Sequence, residues 1–363
     1  MQTRDQAFLG TEPVGRLLMR LAIPTVIAQL VNMLYNIVDR IYIGHIAGIG
    51  SLALTGVGVC MPIIMIVTAF AALVASGSAP RASIAMGRGD RDTAEKLLGG
   101  SFSLQIAISL TLTAVLLLFG HEFLLAFGAS ENTIEYADNY LNIYAFGTLF
   151  VELTLGMNAF ITAQGFATTG MMTVLIGAVC NIVLDPIFIF GLNMGVRGAA
   201  LATVIAQGLS AAGIALYFFF RLPELRPRRS NFRLDRPLLS RIASVSVLTS
   251  VQQSIMNFGI LLVQSLVNSF GVATMAAFAA GVKIDSFAYS PAQDFANGFA
   301  TFVAQNTGAG KPERVKQGIR EAALLSLSFC AVVSALVFLF ARPLLTLFID
   351  PGEREILAVG VHY

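Results

Sequence analysis

The chain has 363 residues, of which 56% are hydrophobic and 12% are charged, and its formal net charge is +2. Soluble domains carry about 25% charged residues, so this composition excludes a soluble enzyme and a disordered segment and indicates a chain that is solvated mainly by lipid. Its three Cys and three His residues are scattered, which predicts neither a disulfide framework nor a His/Cys metal cluster.

Nine apolar segments long enough to cross a bilayer follow one another, and a tenth begins near residue 352. They predict an all-α, polytopic membrane protein with spans at 17–46, 51–84, 97–120, 132–164, 170–190, 196–220, 238–268, 273–306 and 314–340. The first segment is too long for a signal peptide and should remain as a membrane helix.

The basic residues concentrate in alternate connections. Most of the 23 Lys and Arg residues fall in the N-terminal segment and in the connections after the second, sixth and eighth spans. By the positive-inside rule these segments are cytoplasmic. We therefore expect a multi-pass protein of the cytoplasmic (inner) membrane with a cytoplasmic N-terminus.

An internal repeat is visible in the two segments that end the second and eighth spans. Gly87-Arg88-Gly89-Asp90 is matched by Gly308-Ala309-Gly310-Lys311, and Gly308 follows Gly87 by 221 residues. An even number of spans separates the copies, so two six-helix lobes should be related by an axis along the membrane normal. The predicted units are an N-terminal lobe at 1–222, a basic cytoplasmic linker at 223–237 and a partial C-terminal lobe at 238–363.

The same repeat predicts a length. A complete second lobe would end near about residue 441. We therefore expect the chain to be C-terminally truncated within the second lobe, which would hold spans seven to nine and the start of span ten.

The first span carries a polar face. Asn32, Tyr35, Asn36 and Asp39 are spaced three, four and seven residues apart from Asn32, which places them on one side of a helix. Polar groups at membrane depth need a wet cavity or partner helices. We predict that Asn32, Tyr35 and Asn36 line a substrate cavity.

Pro24 precedes this face and removes a helical hydrogen bond, so it is the predicted helix hinge. Asp39 is predicted to bind a coupling cation or proton. The alternative is that Asp39 lies at the helix end and pairs with Arg40 among lipid headgroups.

A second polar cluster lies in spans five and six. Asn181 and Asp185 are four residues apart on one helical face, and span six contributes Thr203. With Asp39 these residues offer hard oxygen ligands of the kind that suits Na⁺, and two neighbouring carboxylates favour a shared proton. They form the predicted coupling site and metal (Na⁺) site. The alternative for Asp185 is a helix end before Pro186.

Span eight contains charged residues. Lys283 and Asp285 are predicted to line the substrate cavity, where Lys283 would act on substrate or relay a proton. Alternatively, Lys283 neutralises Asp285 or Asp294 as an internal ion pair. Glu152 in span four is a weaker polar candidate.

Taken in order, these motifs resemble the multidrug and toxic compound extrusion (MATE) family over the whole chain. The residues that carry the resemblance are Pro24, Asp39, Gly87-x-Gly89-Asp90, Asn181-x-x-x-Asp185-Pro186 and Gln305-Asn306-x-Gly308-Ala309-Gly310. Pro24 with Asp39 resembles the DinF-like branch. The NorM-like branch places acidic residues in span seven, and 238–268 contains no Asp or Glu.

The resemblance implies two lobes around a central cleft and an H⁺- or Na⁺-coupled antiporter that exports amphipathic organic compounds by alternating access. A lipid-linked saccharide flippase of the same superfamily is the alternative, and it should carry more cationic side chains in the cleft. No nucleophile, base and orienting group suggest an enzyme. Apart from the coupling ion we expect no cofactor, no nucleic-acid partner, contact with membrane lipid and a monomer.

Overall fold

A computed structural model describes residues 8–220, 229–350 and 352–362, most of them helical. A short helix, Phe8–Thr11, precedes the bundle, and a π-helical turn, Ile187–Gly191, extends the fifth long helix. The remaining helices are α1 (Val14–Gly44), α2 (Gly50–Arg88), α3 (Arg91–Ala126), α4 (Ile134–Ala163), α5 (Ala167–Pro186), α6 (Val196–Phe220), α7 (Arg236–Asn268), α8 (Val272–Gly308), α9 (Pro312–Leu345) and α10 (Arg354–His362). The all-α prediction is confirmed, and each predicted span corresponds to one of α1 to α9.

Within the described ranges, eight helices are long and apolar enough to cross a membrane. The long helix outside this set is α8, which carries Lys283, Asp285 and Asp294. This helix packs against α1, α2, α7, α9 and α10. Its polarity is therefore accommodated by protein neighbours, as expected of a charged helix at membrane depth.

The two glycine motifs end α2 and α8 in the same way. Gly89 and Gly310 adopt left-handed backbone conformations with φ of 77° and 67°, which glycine tolerates without a steric penalty. Asp90 then begins α3, and its Oδ1 accepts a hydrogen bond from the Thr93 amide at 3.1 Å. Hydrogen bonds from Thr93 hold the pKa of Asp90 below its usual value.

Two groups of helices can be recognised from their packing. In the first, α4 packs against α2, α3 and α6, and α1 packs against α5; in the second, α8 packs against α7, α9 and α10. Residues 223–228 of the predicted linker lie outside the described residues. The segment Arg229–Phe232 forms a 3₁₀ turn against α3, where Asn231 Nδ2 donates to Glu95 at 3.2 Å.

The lobes contact each other through equivalent positions of the repeat. A Cβ on Gly77 of α2 would overlap the carbonyl oxygen of Ile242 in α7, and a Cβ on Gly298 of α8 would contact Leu21 of α1. Gly298 follows Gly77 by 221 residues, and Ile242 follows Leu21 by the same number. The α2–α7 and α1–α8 contacts are thus two copies of one interface.

Two hydrogen bonds repeat this relationship. Thr25 Oγ1 donates to the main-chain oxygen of Asp294 at 3.4 Å, and Ser246 Oγ donates to the main-chain oxygen of Leu73 at 2.6 Å. Both residue pairs are again separated by 221 positions. This pattern supports the two-fold relation between the halves that the sequence repeat predicts.

We call the end of the bundle that carries Gly10, Gly89 and Gly310 the N-terminal face, and the end that carries Glu131 the distal face. Lys311 Nζ donates to the Gly10 carbonyl at 2.9 Å on the N-terminal face. The close contacts of α2 with α7 and α8 also lie toward this face, over residues 73–87.

Candidate functional site

A central cavity of about 930 Å³ lies between the two groups of helices. Small residues, mainly Ala, Ser and Thr, form much of its wall, so the helix backbones approach it closely. Its larger polar side chains are Gln29, Asn32, Tyr35, Asn158, Asn181, Gln207, Asp294 and Asn297. The cavity has the size of pockets that hold drug-like molecules, about 300–1,000 Å³.

The structure brings two of the five predicted substrate-cavity residues to this wall. Asn32 and Tyr35 line the cavity. Asn36, one residue beyond Tyr35, is exposed, and its Nδ2 donates to the Asn32 carbonyl at 2.6 Å. Lys283 and Asp285 are exposed on α8 and lie outside the set of lining residues that the structure describes.

The two interpretations of Lys283 can be compared with its surroundings. Over the described part of the chain, no ion pair joins Lys283 to Asp285 or Asp294. Asp294 differs from both neighbours because it lines the cavity. The sequence pattern singled out all three charged residues but did not show which of them reaches the cavity.

The four predicted coupling residues come together from three helices. The Asp39 side chain of α1 is buried, and Asp185 of α5 is fully buried; their carboxyl groups lie within hydrogen-bonding reach of each other. Asn181 Nδ2 donates to Asp185 Oδ1 and to Thr203 Oγ1, each at 3.4 Å. Two carboxylates in contact repel unless a proton or cation lies between them.

Three oxygens of this cluster lack a donor among the described residues: Asp39 Oδ1, Asn181 Oδ1 and Asp185 Oδ2. Buried polar atoms are nearly always paired, so unpaired oxygens at one place indicate a missing proton or ligand. Carboxylate, amide and hydroxyl oxygens are also the ligands that hard cations such as Na⁺ prefer. The residues therefore fit a Na⁺ ion as well as a shared proton.

The structure also addresses the alternatives for the two acids. Arg40 directs its Nη2 to the Met61 sulfur at 3.3 Å, and no Asp39–Arg40 ion pair occurs in the described ranges. Asp185 lies inside a helix that continues through the π-helical turn Ile187–Gly191. Its side chain bonds Asn181 rather than ending the helix.

Sequence reasoning missed two residues next to this cluster. Tyr140 of α4 is buried beside Thr203, and its ring stacks on Tyr144 with a centroid distance of 6.2 Å. Gln207 follows Thr203 by one turn of α6, lines the cavity and lies within reach of the Tyr35 hydroxyl. The i, i+4 spacing of Thr203 and Gln207 was the available signal.

Glu152 has a different environment from the coupling cluster. It is fully buried in α4, and neither carboxyl oxygen has a hydrogen-bond donor among the described residues. Gln105 of α3 is also fully buried and packs against Gly156, one turn beyond Glu152. Glu152 is not part of the cavity wall as far as the structure describes it.

Pro24, the predicted hinge, is buried within α1, which is helical on both sides of it. The next residue, Thr25, donates from its hydroxyl to the Ala22 carbonyl at 2.8 Å. Since proline has no N–H, one carbonyl of the preceding turn loses its helical partner. The hinge role stays a prediction.

Comparisons with known proteins agree with this architecture. The MatE family model matches residues 24–187 and 249–363. The FAD transporter of Shewanella oneidensis is 26% identical over 98% of this chain and 79% of that protein. The probable multidrug resistance protein NorM of Thermotoga maritima is 28% identical over 95% of this chain and 74% of its own.

A solved structure gives the same result for the fold. The crystal structure of MATE in the bent conformation superposes with a TM-score of 0.89 at 25% identity, over 99% of this chain and 80% of that one. The eight apolar helices indicate a multi-pass membrane protein. Because the family model covers most of the sequence, the chain belongs to the MatE family.

Proposed function

We propose that the chain is an H⁺- or Na⁺-coupled antiporter that exports amphipathic organic compounds across the cytoplasmic membrane by alternating access. The observation that carries the proposal is the contact between the buried carboxyl groups of Asp39 and Asp185, surrounded by oxygens without donors. The multidrug-resistance relative from Thermotoga maritima supports the class of transported compound.

The coupling cluster and the cavity share residues, which gives a route for coupling. Asn181 and Thr203 line the cavity, and Asn181 also bonds Asp185. When a proton or Na⁺ leaves, the repulsion between Asp39 and Asp185 changes the packing of α1 against α5. The side chains on the cavity wall then move with them, so that ion occupancy biases the conformation of the lobes.

For Na⁺, the ligands would be oxygens of Asp39, Asn181, Asp185 and Thr203. The ion would supply positive charge between the two carboxylates and occupy the acceptors that have no donor. For H⁺, one proton shared by Asp39 and Asp185 would serve the same purpose. Either ion relieves the same repulsion, so the cluster supports coupling with both candidates.

The orientation and assembly belong to this proposal. The N-terminal face would be cytoplasmic because it holds the basic segments. Access from that side requires the α2–α7 and α1–α8 contacts to separate, as expected when two lobes rock about a central site. The cavity lies within one chain, so a monomer suffices for transport.

Two alternatives concern anionic substrates. The Shewanella relative is named for FAD, and a lipid-linked saccharide flippase would also handle phosphate groups. Yet no Lys or Arg occurs among the described residues that line the cavity. Because multiple negative charges in such a cavity need cationic partners, export of uncharged or cationic compounds is favoured.

The test is substrate efflux from proteoliposomes under an imposed Na⁺ or proton gradient. Asp39→Asn and Asp185→Asn keep the size of the side chains and remove their charge, and each should reduce gradient-driven efflux to the rate without a gradient. Asp92→Asn is the matched control, because Asp92 is exposed and paired with Lys96 at 2.6 Å. Full gradient-driven efflux in both site variants would refute the proposed coupling.

A further inference from the structure

The wall of the central cavity carries charge at one point. Asp294 is the only Asp, Glu, Lys, Arg or His among the described residues that line it. The other polar groups are amides and hydroxyls, such as those of Gln29 and Asn158. A carboxylate in a cavity at membrane depth attracts cations and repels anions, and neutral surroundings do not offset this preference.

The Asp294 carboxylate has no basic partner in the part of the chain that the structure describes. The neutral Nδ2 group of Asn297 lies 3.5 Å from Asp294 Oδ1. Lys283, the one basic residue of α8, precedes it by eleven residues, which is about 16 Å along a helix. The cavity therefore contains an acid without a built-in counter-ion.

The contact between the lobes does not explain this acid. Thr25 bonds the main-chain oxygen of Asp294, and the equivalent bond from Ser246 reaches the main-chain oxygen of Leu73. Any residue supplies a main-chain oxygen, and the first copy of the repeat has leucine at the matching position. The carboxylate of Asp294 is thus a feature of the second lobe that its structural contact does not require.

We propose that Asp294 is the counter-ion for transported compounds and selects monovalent organic cations from among amphipathic molecules of similar size. This proposal rests on the export function proposed above and names its substrate class. One carboxylate in an otherwise neutral cavity matches one positive charge. A compound with a single cationic group and apolar rings would pair with Asp294 and pack against the small apolar residues of the wall.

Substrate and coupling ion would then use different carboxylates. Asp294 lies at the level of Thr25 on α1, whereas Asp39 is fourteen residues farther along that helix, about 21 Å away along the axis. The two acids also belong to different lobes. Removing Asp294 should therefore alter which compounds bind while leaving the ion dependence of transport in place.

The test uses two probes of the same shape and opposite charge, tetraphenylphosphonium and tetraphenylborate. Their binding to the purified full chain in detergent is measured without any gradient, so the result does not depend on coupled transport. Asp294→Asn should weaken tetraphenylphosphonium binding by about tenfold or more and should not weaken tetraphenylborate binding. Asp294→Glu should restore part of the cation affinity.

Glu131→Gln is the control, because Glu131 is exposed between α3 and α4 and lies away from the cavity. Unchanged tetraphenylphosphonium affinity in Asp294→Asn would overturn the proposal, as would an equal loss for both probes. Normal cation binding that depends on Asp294, together with no gradient-driven efflux, would support this inference and refute the antiport function.

Discussion

Gly87 of α2 and Gly308 of α8 each pack against the helix that carries the other. A Cβ on Gly87 would overlap the Gln305 carbonyl oxygen, and a Cβ on Gly308 would overlap the Ile84 carbonyl oxygen. Ile84 and Gln305 are themselves separated by the 221 positions of the repeat. The first glycine of each motif therefore lets the two lobes approach at the N-terminal face, while Gly89 and Gly310 end the helices.

Gly87→Ala should weaken this contact, because the added methyl group meets main-chain atoms that cannot rotate away. We expect a lower unfolding temperature of the purified protein, by several degrees if the change is about 1–2 kcal/mol. Gly308→Ala should have a similar effect. Gly58→Ala, in the same helix as Gly87 but with open space at its Cβ position, should cause no such loss. Equal unfolding temperatures for Gly87→Ala and Gly58→Ala would contradict the interface.

Asp39 and Asp185 should behave as one unit in coupled transport. If they share one proton or one Na⁺, removing either carboxylate abolishes the site, and the double Asn variant should be little worse than each single variant. Gradient-driven efflux in proteoliposomes, normalised to the amount of inserted protein, measures this. Losses that multiply in the double variant would show that the two acids bind ions independently.

Thr203 should separate the two candidate ions. Thr203→Val removes an oxygen ligand but no titratable group, so it should raise the Na⁺ concentration for half-maximal efflux by about tenfold. Proton-driven efflux should change little, since the carboxylates remain. Thr203→Ser keeps the hydroxyl and should resemble the parent chain. An equal effect of Thr203→Val on both gradients would argue that this hydroxyl only packs the site.

Pro24→Ala should restore the helical hydrogen bond that proline removes and make α1 stiffer. We expect slower efflux with unchanged substrate binding to the purified protein, because the change affects the transition between states rather than the cavity wall. Efflux rates and equilibrium binding measured on the same preparation provide the check. Unchanged efflux in Pro24→Ala would remove the hinge role.

The orientation can be tested with single cysteines at opposite faces. In a background with Cys330 replaced by Ser, Lys311→Cys should resist a membrane-impermeant thiol reagent added outside intact cells, and Glu131→Cys should react. Lys311 lies on the N-terminal face beside Gly10, and Glu131 lies on the distal face. The reverse labelling pattern would invert the proposed topology. Arg228, a second basic position of that side, lies outside the described residues.

The sequence alone determined the helices, their order and the repeat. At membrane depth each backbone group must be satisfied within its own helix, so long apolar runs specify helices directly. Spacing along one helix also placed Asn181 and Asp185 on a common face, and the structure shows them hydrogen-bonded. Matching glycine motifs 221 residues apart gave the relation between the lobes, which the paired contacts of Gly77 and Gly298 repeat.

Tertiary structure decided which helices meet and at what depth. Only the packing of α1 on α5 brings Asp39 to Asp185, since these residues are remote in sequence. Helical spacing places Lys283 and Asp294 on nearly the same side of α8, because eleven residues make about three turns. The structure nevertheless puts only Asp294 in the described cavity wall. Periodicity reports the face of a helix, whereas position along its axis relative to a cavity depends on how neighbouring helices pack.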